Sequence, residues 1–305
     1  MEQLHGILVL DKPRGLSSAQ CLSRLKRLGQ KKIGHAGTLD PMATGVLLVL
    51  LGCATKLSGH LMEGGVKTYA GTLRLGVETD TWDAEGRVLS EAPLDSAGFA
   101  ELEGIVRREV LAWTEVGEQP VPPYSAAKHE GTPLYRLARA GREVPLKTKK
   151  IHVSHAEVQW VGLPDVRFRV TCSSGSYIRS LAHSLGMRIG CGATLTELTR
   201  EYSHPFGLDK AHALDEVLAS PEKLAGWVQP LDAALPSWKK ISIAPRQEAD
   251  IRNGKAIPHM AEYGAHAPGE KALAFASGGM PLALMEARMD GDMPAWAVIR
   301  GLFTL

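Results

Sequence analysis

The stretch Gly34-His35-Ala36-Gly37-Thr38-Leu39-Asp40-Pro41-Met42-Ala43-Thr44-Gly45 places one carboxylate in a glycine-rich segment, directly before the apolar run 46–51. Its three glycines allow backbone angles and close approaches that a Cβ would prevent. Pro41 fixes its own φ and favours an extended conformation for Asp40. From these residues alone, the ordinary interpretation is that Asp40 caps a helix with Pro41 in its first turn.

The pattern Gly-His-x-Gly-Thr-Leu-Asp-Pro-x-Ala-Thr-Gly-Val-Leu over residues 34–47 resembles the catalytic motif of the tRNA pseudouridine-55 synthases. These enzymes form the bacterial, TruB-type branch of a pseudouridine synthase family that also includes dyskerin-like enzymes. In that family the aspartate of this motif is the catalytic nucleophile, so the resemblance implies that role for Asp40. His35 is a candidate to fill the space that a flipped uridine leaves in the RNA, although a lone histidine is also an ordinary structural residue.

Three further motifs resemble the same family and occur in its order. Leu-Asp-Lys-Pro-x-Gly-x-Ser-Ser over residues 10–18 resembles its N-terminal motif, and we place Lys12 among the RNA contacts. Lys67-Thr68-Tyr69 resembles the segment whose tyrosine lies against the target base, which implies that role for Tyr69; considered alone, Tyr69 is a core aromatic. We also place Lys67 among the RNA contacts. Cys-Ser-x-Gly-x-Tyr-Ile-Arg over residues 172–179 implies that Arg179 pairs with the catalytic carboxylate. An arginine at the start of a helix opposes the helix dipole and needs such an anionic partner.

The pattern Gly-x-Gly-Ala-x-Leu-x-x-Leu-x-Arg over residues 190–200 also resembles the family and places its active-site leucine at Leu198. The chain departs from the family where Leu198-Thr199-Arg200-Glu201 replaces Leu-Arg-Arg-Thr and Ala193-Thr194 replaces Ala-His. A dinucleotide-binding turn is not indicated, because the third glycine of that fingerprint is missing and no clear strand leads into it.

Residues 118–150 differ from the rest of the chain in composition. They carry seven lysines and arginines against three glutamates, together with several prolines and two tyrosines. Such a segment suits the binding of a structured RNA loop by phosphate contacts and base stacking, and a solvated surface insertion would look similar. Pro-Pro-Tyr-Ser-Ala-x-Lys over residues 122–128 resembles part of the family's thumb-like insertion, which grips the T-arm of tRNA. The RNA contacts predicted here are Tyr124, Lys128, Arg139, Arg142, Lys147, Lys149 and Lys150.

The overall composition is that of a globular protein large enough for two domains. The 305 residues are 44% hydrophobic and 22% charged, with a formal net charge of only +2, so any RNA-binding surface has to be local. The four cysteines form no CxxC pair and no metal-finger spacing, which predicts reduced thiols. A signal peptide and an apolar run of the roughly 18 residues that a membrane span needs are both missing. We therefore expect a cytoplasmic protein without a membrane partner.

Residue periodicity predicts a mixed α+β chain, and its length together with a proline-bounded stretch over residues 230–236 indicates two domains. For residues 1–235 the resemblance implies the pseudouridine synthase fold, a mixed, largely antiparallel sheet flanked by helices. Residues 236–305 are expected to form a small β-rich unit that resembles a PUA-like RNA-binding domain. Helices are predicted from Ser17 or Ser18 and around 95–112, and the acids near Asp83 indicate a hairpin turn rather than a calcium loop.

The resemblance implies that the chain isomerises one uridine of the tRNA T-loop, at position 55, to pseudouridine. A carboxylate must be ionised to act as a nucleophile, and a cation within about 4–6 Å favours that form, which is the role we assign to Arg179. Tyr69 is also a candidate for the accompanying proton transfers. We expect neither metal nor cofactor. Whether Asp40 attacks C1′ or C6 of the nucleotide, or assists a glycal route, stays open at this stage.

Other functions remain alternatives. The chain could be the catalytic subunit of a guide-RNA particle, although it is short and lacks long charged tails, or a non-catalytic RNA-binding protein that keeps the fold. A carboxylate-dependent glycosidase would need a second carboxylate, and only the turn acids near Asp83 are available. A serine hydrolase would need a Gly-x-Ser-x-Gly elbow, and the serine-rich stretch 172–182 lacks it. We expect a stand-alone, monomeric synthase that binds the T-arm of tRNA and needs no obligatory protein partner.

Overall fold

The computed structural model describes residues 3–63, 65–94, 98–260, 263 and 267–303. The strands that precede the C-terminal region are β1 (Gly6–Lys12), β2 (Ile33–Ala36), β3 (Thr44–Leu51), β4 (Val66–Leu75), β5 (Val77–Thr79), β6 (Val88–Glu91), β7 (Glu118–Pro120), β8 (Lys128–His129), β9 (Thr132–Pro133), β10 (Thr148–Lys150), β11 (Val153–Gly162), β12 (Asp165–Ser173), β13 (Ala193–Ser203), β14 (Phe206–Gly207), β15 (His212–Ala213) and β16 (Val228–Gln229). The C-terminal strands are β17 (Lys239–Ser242), β18 (Ile257–Pro258), β19 (Lys271–Phe275), β20 (Pro281–Asp290) and β21 (Met293–Gly301).

The described α-helices are α1 (Ser18–Lys26), α2 (Ser58–Met62), α3 (Phe99–Leu111), α4 (Leu134–Arg139), α5 (Ile178–Ile189), α6 (Leu214–Ala219), α7 (Leu224–Trp227) and α8 (Pro245–Arg252). Helix α1 begins at the predicted position, with Ser17 as its N-cap and Gln20 completing a capping box. Helix α3 lies within the predicted span 95–112, of which residues 95–97 are outside the described residues.

The central sheet has ten strands, with the main order β11-β12-β4-β13-β3-β1-β15; in addition, β2 pairs with β3, β14 with β13 and β16 with β1. Most of its pairings are antiparallel, whereas β13 runs parallel to β3 and β15 runs parallel to β1. The predicted mixed, largely antiparallel sheet is therefore confirmed.

The apolar run that follows the glycine-rich stretch becomes β3, and both of its faces are buried. Val46, Leu48 and Leu50 point into one hydrophobic cluster, and the residues between them point into another. This division follows from the alternation of side chains along a strand. It explains why the run is continuously apolar rather than alternating. Strand β3 is thus anchored on both sides and fixes the position of the segment before it.

Strand β4 lies between β12 and β13 and brings Tyr69 to the middle of the sheet. The alternation predicted for this strand is confirmed, because Tyr69, Gly71, Leu73 and Leu75 are all buried. After β4 the chain forms the β5–β6 hairpin, whose connecting loop 80–87 contains Asp83. The hairpin interpretation of these acids is confirmed.

The basic segment 118–150 forms a small excursion from the central sheet. Strand β7 pairs with β10 at the base of the excursion. Between these two strands the chain forms the short β8–β9 ladder and then α4. The base is tied to the start of α5, because the Ser180 hydroxyl donates a hydrogen bond to the carbonyl of Pro120.

The C-terminal strands form a separate five-stranded sheet in the order β17-β19-β20-β21-β18, with α8 packed against it. This agrees with the predicted β-rich unit. One hydrophobic cluster contains Leu48 and Leu50 of β3 together with Leu273, Leu284 and Leu302, so the two sheets share a core. In the described part of the chain, no helix combines the length and apolar character that crossing a bilayer requires.

Candidate active site

The Asp40 loop is a tight turn held by the start of α1. The Ala43 N–H donates to the Asp40 carbonyl at 3.1 Å, and the chain then enters β3 without a helix. The helix-cap interpretation of Asp40 is therefore wrong, because the buried strand begins too soon after Pro41. The Ser18 hydroxyl exchanges hydrogen bonds with the N–H and carbonyl of Leu39, at 2.9 and 3.1 Å. These contacts fix the backbone immediately before the carboxylate.

A buried arginine, Arg200 of β13, also stabilises the Asp40 loop. Its Nε donates to the carbonyl of Val46 and its Nη2 to the carbonyl of Gly37, at 2.6 and 2.8 Å. Gly45 has φ +96°, and a Cβ there would lie 2.3 Å from the carbonyl oxygen of Arg200. The glycine at this point of the motif is thus required by the close approach of β13. No motif in the sequence predicts this role for Arg200.

Lys12 belongs to this scaffold rather than to an RNA-binding surface. The residue is fully buried, and its ammonium donates to the carbonyls of Pro13, Leu16 and Pro41 at 2.8, 2.5 and 3.3 Å. The prediction that Lys12 contacts RNA is wrong, because its donors are already used within the protein. The lysine instead connects the N-terminal motif to the turn that carries Asp40.

Arg179, in the first turn of α5, grips the Asp40 carboxylate from one side. Its Nη2 donates to Oδ1 at 3.1 Å, and its Nε lies 2.9 Å from Oδ2 at an angle that does not make a hydrogen bond. The guanidinium also donates to the carbonyls of Thr81 and Tyr124, at 2.9 and 3.1 Å. Its side chain is 4% exposed whereas that of Asp40 is 36% exposed, so the arginine is fixed while the carboxylate stays open to a ligand.

A second carboxylate, that of Asp83, lies behind Arg179. Its Oδ2 is 3.6 Å from the arginine Nε, and its side chain is buried. Burial raises the pKa of Asp83, and hydrogen bonds from Thr81 and Glu85 together with the charge of Arg179 oppose this. From the sequence, Asp83 is predicted only as an acid of a hairpin turn. The sequence feature that could have pointed to Asp83 as a site residue is the run of three carboxylates after the strand that carries Tyr69.

These groups meet in a cavity of about 570 Å³. Eight predicted residues line it: Asp40, Lys67, Tyr69, Tyr124, Arg139, Lys149, Arg179 and Leu198. The remaining six predicted residues lie outside this lining: Lys12, His35, Lys128, Arg142, Lys147 and Lys150. His35 is nevertheless adjacent, because its Nε2 lies 3.1 Å from the Thr38 hydroxyl, and Thr38 lines the cavity.

Tyr69 and Lys67 also line the cavity, and both are more than nine-tenths buried. Burial raises the pKa of the Tyr69 phenol, and the charge of the Arg200 guanidinium only partly opposes this shift. The phenol is therefore protonated at neutral pH. Burial, reinforced by the charge of Arg200, lowers the pKa of Lys67 to about 8.

Comparison with known proteins identifies the family. A family model described as "TruB family pseudouridylate synthase (N terminal domain)" matches residues 25–178. The chain is 62% identical to the "tRNA pseudouridine synthase B" of Nitratidesulfovibrio vulgaris over 99% of both sequences. The chain belongs to the TruB family of pseudouridylate synthases. A second TruB relative, from Geotalea uraniireducens, is 38% identical over 98% of this chain and 96% of its own length.

The TruB fold is also found among solved structures. The chain resembles one titled "Crystal Structure of a Cbf5-Nop10-Gar1 Complex" with a TM-score of 0.68 and 24% sequence identity, over 98% of this chain and 85% of that one. At this identity the likeness establishes the fold alone. The pseudouridine synthase fold that the sequence motifs implied is therefore confirmed.

Proposed function

We propose that this chain, acting alone, isomerises the uridine at position 55 in the T-loop of tRNA to pseudouridine. The observation that carries the proposal is the Asp40 carboxylate, which faces a cavity of about 570 Å³ while the guanidinium of Arg179 holds it from behind. The tRNA substrate is supported by the names of the TruB relatives. We expect the enzyme to be a monomer that works in the cytoplasm and binds the T-arm.

The cavity is large enough for a nucleotide extruded from its stack, since small-ligand pockets typically measure about 300–1,000 Å³. Flipping a base costs a few kcal/mol, and contacts of the flipped nucleotide with the cavity walls offset this cost. Tyr69 and Leu198 provide an aromatic and an aliphatic surface for the uracil, and Asp40 approaches it from the loop.

The reaction breaks the C1′–N1 bond, rotates the uracil and joins C5 to C1′, so the product has the same atoms as the substrate. One proton must leave C5 and one must be gained at N1. Asp40 is the nucleophile, and Arg179 keeps it ionised and pointing into the cavity. The protonated phenol of Tyr69 can donate a proton or a hydrogen bond at the base. Asp83 holds Arg179 in place from the buried side.

The decisive experiment maps pseudouridine in an unmodified tRNA transcript incubated with the purified chain and no added protein, guide RNA or cofactor. We expect one new pseudouridine in the T-loop. A transcript in which that uridine is replaced by cytidine is the control and should give no product. Tight tRNA binding without product would contradict the proposal and favour a guide-dependent or non-catalytic protein.

The pKa of Lys67 predicts how tRNA binding depends on pH. Because the ammonium loses its proton as the pH rises through about 8, affinity should fall between pH 7 and pH 9, by roughly tenfold if one charge-assisted hydrogen bond is lost. Lys67→Arg should keep its affinity over this range, and Lys67→Gln should bind weakly throughout. A fall of the same size in Lys67→Arg would show that another group titrates.

Neutralising Lys147, Lys149 and Lys150 together should weaken tRNA binding and flatten its dependence on salt. Each lost phosphate contact is expected to reduce the slope of log K against log[salt] by about 0.7–0.9. Titrations at several salt concentrations measure this slope. Neutralising two exposed lysines outside the cavity lining, Lys210 and Lys223, is the control. An unchanged slope in the triple variant would remove this segment from the RNA interface.

A further inference from the structure

Trp82 has a backbone conformation that its side chain does not favour. Its φ is +63°, in the left-handed region that bulky residues rarely adopt. The residues on either side are the ones that hold Arg179, since the Thr81 carbonyl accepts from Nη1 at 2.9 Å and Asp83 lies 3.6 Å from Nε. Backbone strain of this kind persists only where the surroundings enforce it, and it clusters at functional sites.

Both the side chain and the backbone of Trp82 are held in this conformation by neighbouring residues. The indole stacks on the ring of His183, with centroids 4.2 Å apart and planes 6° from parallel. The backbone is fixed by β13, because the Leu195 N–H donates to the Trp82 carbonyl and the Ala84 N–H donates to the Leu195 carbonyl, at 3.2 and 2.9 Å. The loop is therefore pressed between a strand and a helix.

The helix concerned is α5, which also carries Arg179. His183 follows Arg179 by four residues, so both side chains leave the same face of the helix. His183 is also close to β5, with its Nδ1 3.9 Å from a carboxylate oxygen of Glu78. Arg179 and the loop that orients it are thus connected twice, once by polar contacts at the guanidinium and once by the aromatic stack one turn further on.

We propose that Trp82 and His183 are positioning residues for the TruB reaction. Their stack holds loop 80–87 on α5 in the strained conformation, and this places the Thr81 carbonyl and the Asp83 carboxylate where they direct Arg179 toward Asp40. Trp82 does not line the cavity, so it acts through Arg179 rather than on the RNA. The proposal rests on the proposed function, because its effect is on the isomerisation step.

The test compares Trp82→Ala, Trp82→Gly and Trp82→Phe in single-turnover pseudouridine formation and in tRNA binding. Trp82→Ala keeps a Cβ in the strained conformation but loses the stack, and should slow the reaction about tenfold. Trp82→Phe keeps an aromatic ring and should restore most of the rate. Trp82→Gly also loses the stack but accepts positive φ without strain, so it should be faster than Trp82→Ala. Affinity for tRNA should stay within about twofold in all three, because only the chemical step is affected.

The partner residue provides an independent check. His183→Ala should lose about as much rate as Trp82→Ala, and the double variant should be no slower than either, because both changes break one contact. If Trp82→Ala does not fold, the comparison of Trp82→Gly, Trp82→Phe and His183→Ala with the parent enzyme still decides. Rates equal to that of the parent, additive losses in the double variant, or losses confined to tRNA affinity would overturn the positioning role alone. An inactive parent chain would instead contradict the proposed function itself.

Discussion

Asp40→Asn should abolish pseudouridine formation, with a fall in the single-turnover rate of at least roughly 10⁴-fold. An amide of the same shape cannot act as the nucleophile, and removing a nucleophile from other enzymes has effects of this size or larger. Arg179 should stay in place, because it keeps its hydrogen bonds to the Thr81 and Tyr124 carbonyls and the charge of Asp83. Affinity for tRNA should therefore be nearly unchanged, and filter binding beside product mapping measures both quantities.

The chain contains a matched control for this change. Asp165 forms a two-pronged contact with Arg74, at 2.9 and 2.8 Å, on the surface of the sheet and away from the cavity. Asp165→Asn removes the same charge from the same kind of pair and should leave the rate unaffected. If Asp40→Asn instead weakens tRNA binding as much as it slows the reaction, the role of Asp40 is architectural.

The second large effect is expected for Arg179→Met, which should lose activity by roughly 10³-fold or more and also destabilise the fold. Removing the guanidinium leaves Asp83 buried without its cation, and breaking a buried ion pair typically costs about 3–5 kcal/mol. We expect the loss in the free energy of unfolding to lie at the lower end of this range, because the Asp83 carboxylate keeps hydrogen bonds from Thr81 and Glu85. Urea unfolding followed by circular dichroism measures the loss.

Two further variants separate the causes. Adding Asp83→Asn to Arg179→Met removes the uncompensated carboxylate and should recover part of the stability but none of the activity. Arg188→Met changes another arginine of α5, whose pair with Glu109 is partly exposed to solvent, and should cost less than about 1 kcal/mol. Equal losses of stability in Arg179→Met and Arg188→Met would show that the buried network contributes little to the free energy of unfolding.

The fold and part of the site could be predicted from sequence because the informative signals are local. The apolar run 46–51, the alternation from Tyr69 to Leu75 and the Ser17 cap each depend on neighbouring residues, and the structure contains the corresponding elements. The cavity also brings Asp40, Tyr69 and Arg179 together, although their catalytic roles remain predictions.

The residues that sequence analysis missed or misplaced owe their roles to distant parts of the chain. Lys12 looks like a surface cation in a turn, but its ammonium is enclosed by carbonyls, one of them 29 positions further along the chain. Arg200 braces Gly37 and Val46 only because β13 runs beside β3. Asp83 becomes part of the site when α5 brings Arg179 to it. No local pattern marks Lys12 or Arg200 as buried, and the run of three carboxylates around Asp83 does not show which of them faces Arg179.

The core shared by the two sheets has a consequence for shortened forms of the chain. Leu273, Leu284 and Leu302 cover the back of β3, and the Lys56 ammonium donates to the carbonyls of Gly301 and Phe303 at 2.7 and 2.9 Å. A chain cut before β17 would expose this apolar surface to water, and exposed patches of that kind promote aggregation. Proteolysis or premature termination in the C-terminal region would thus make the remaining synthase region less soluble, without changing the residues of its active site.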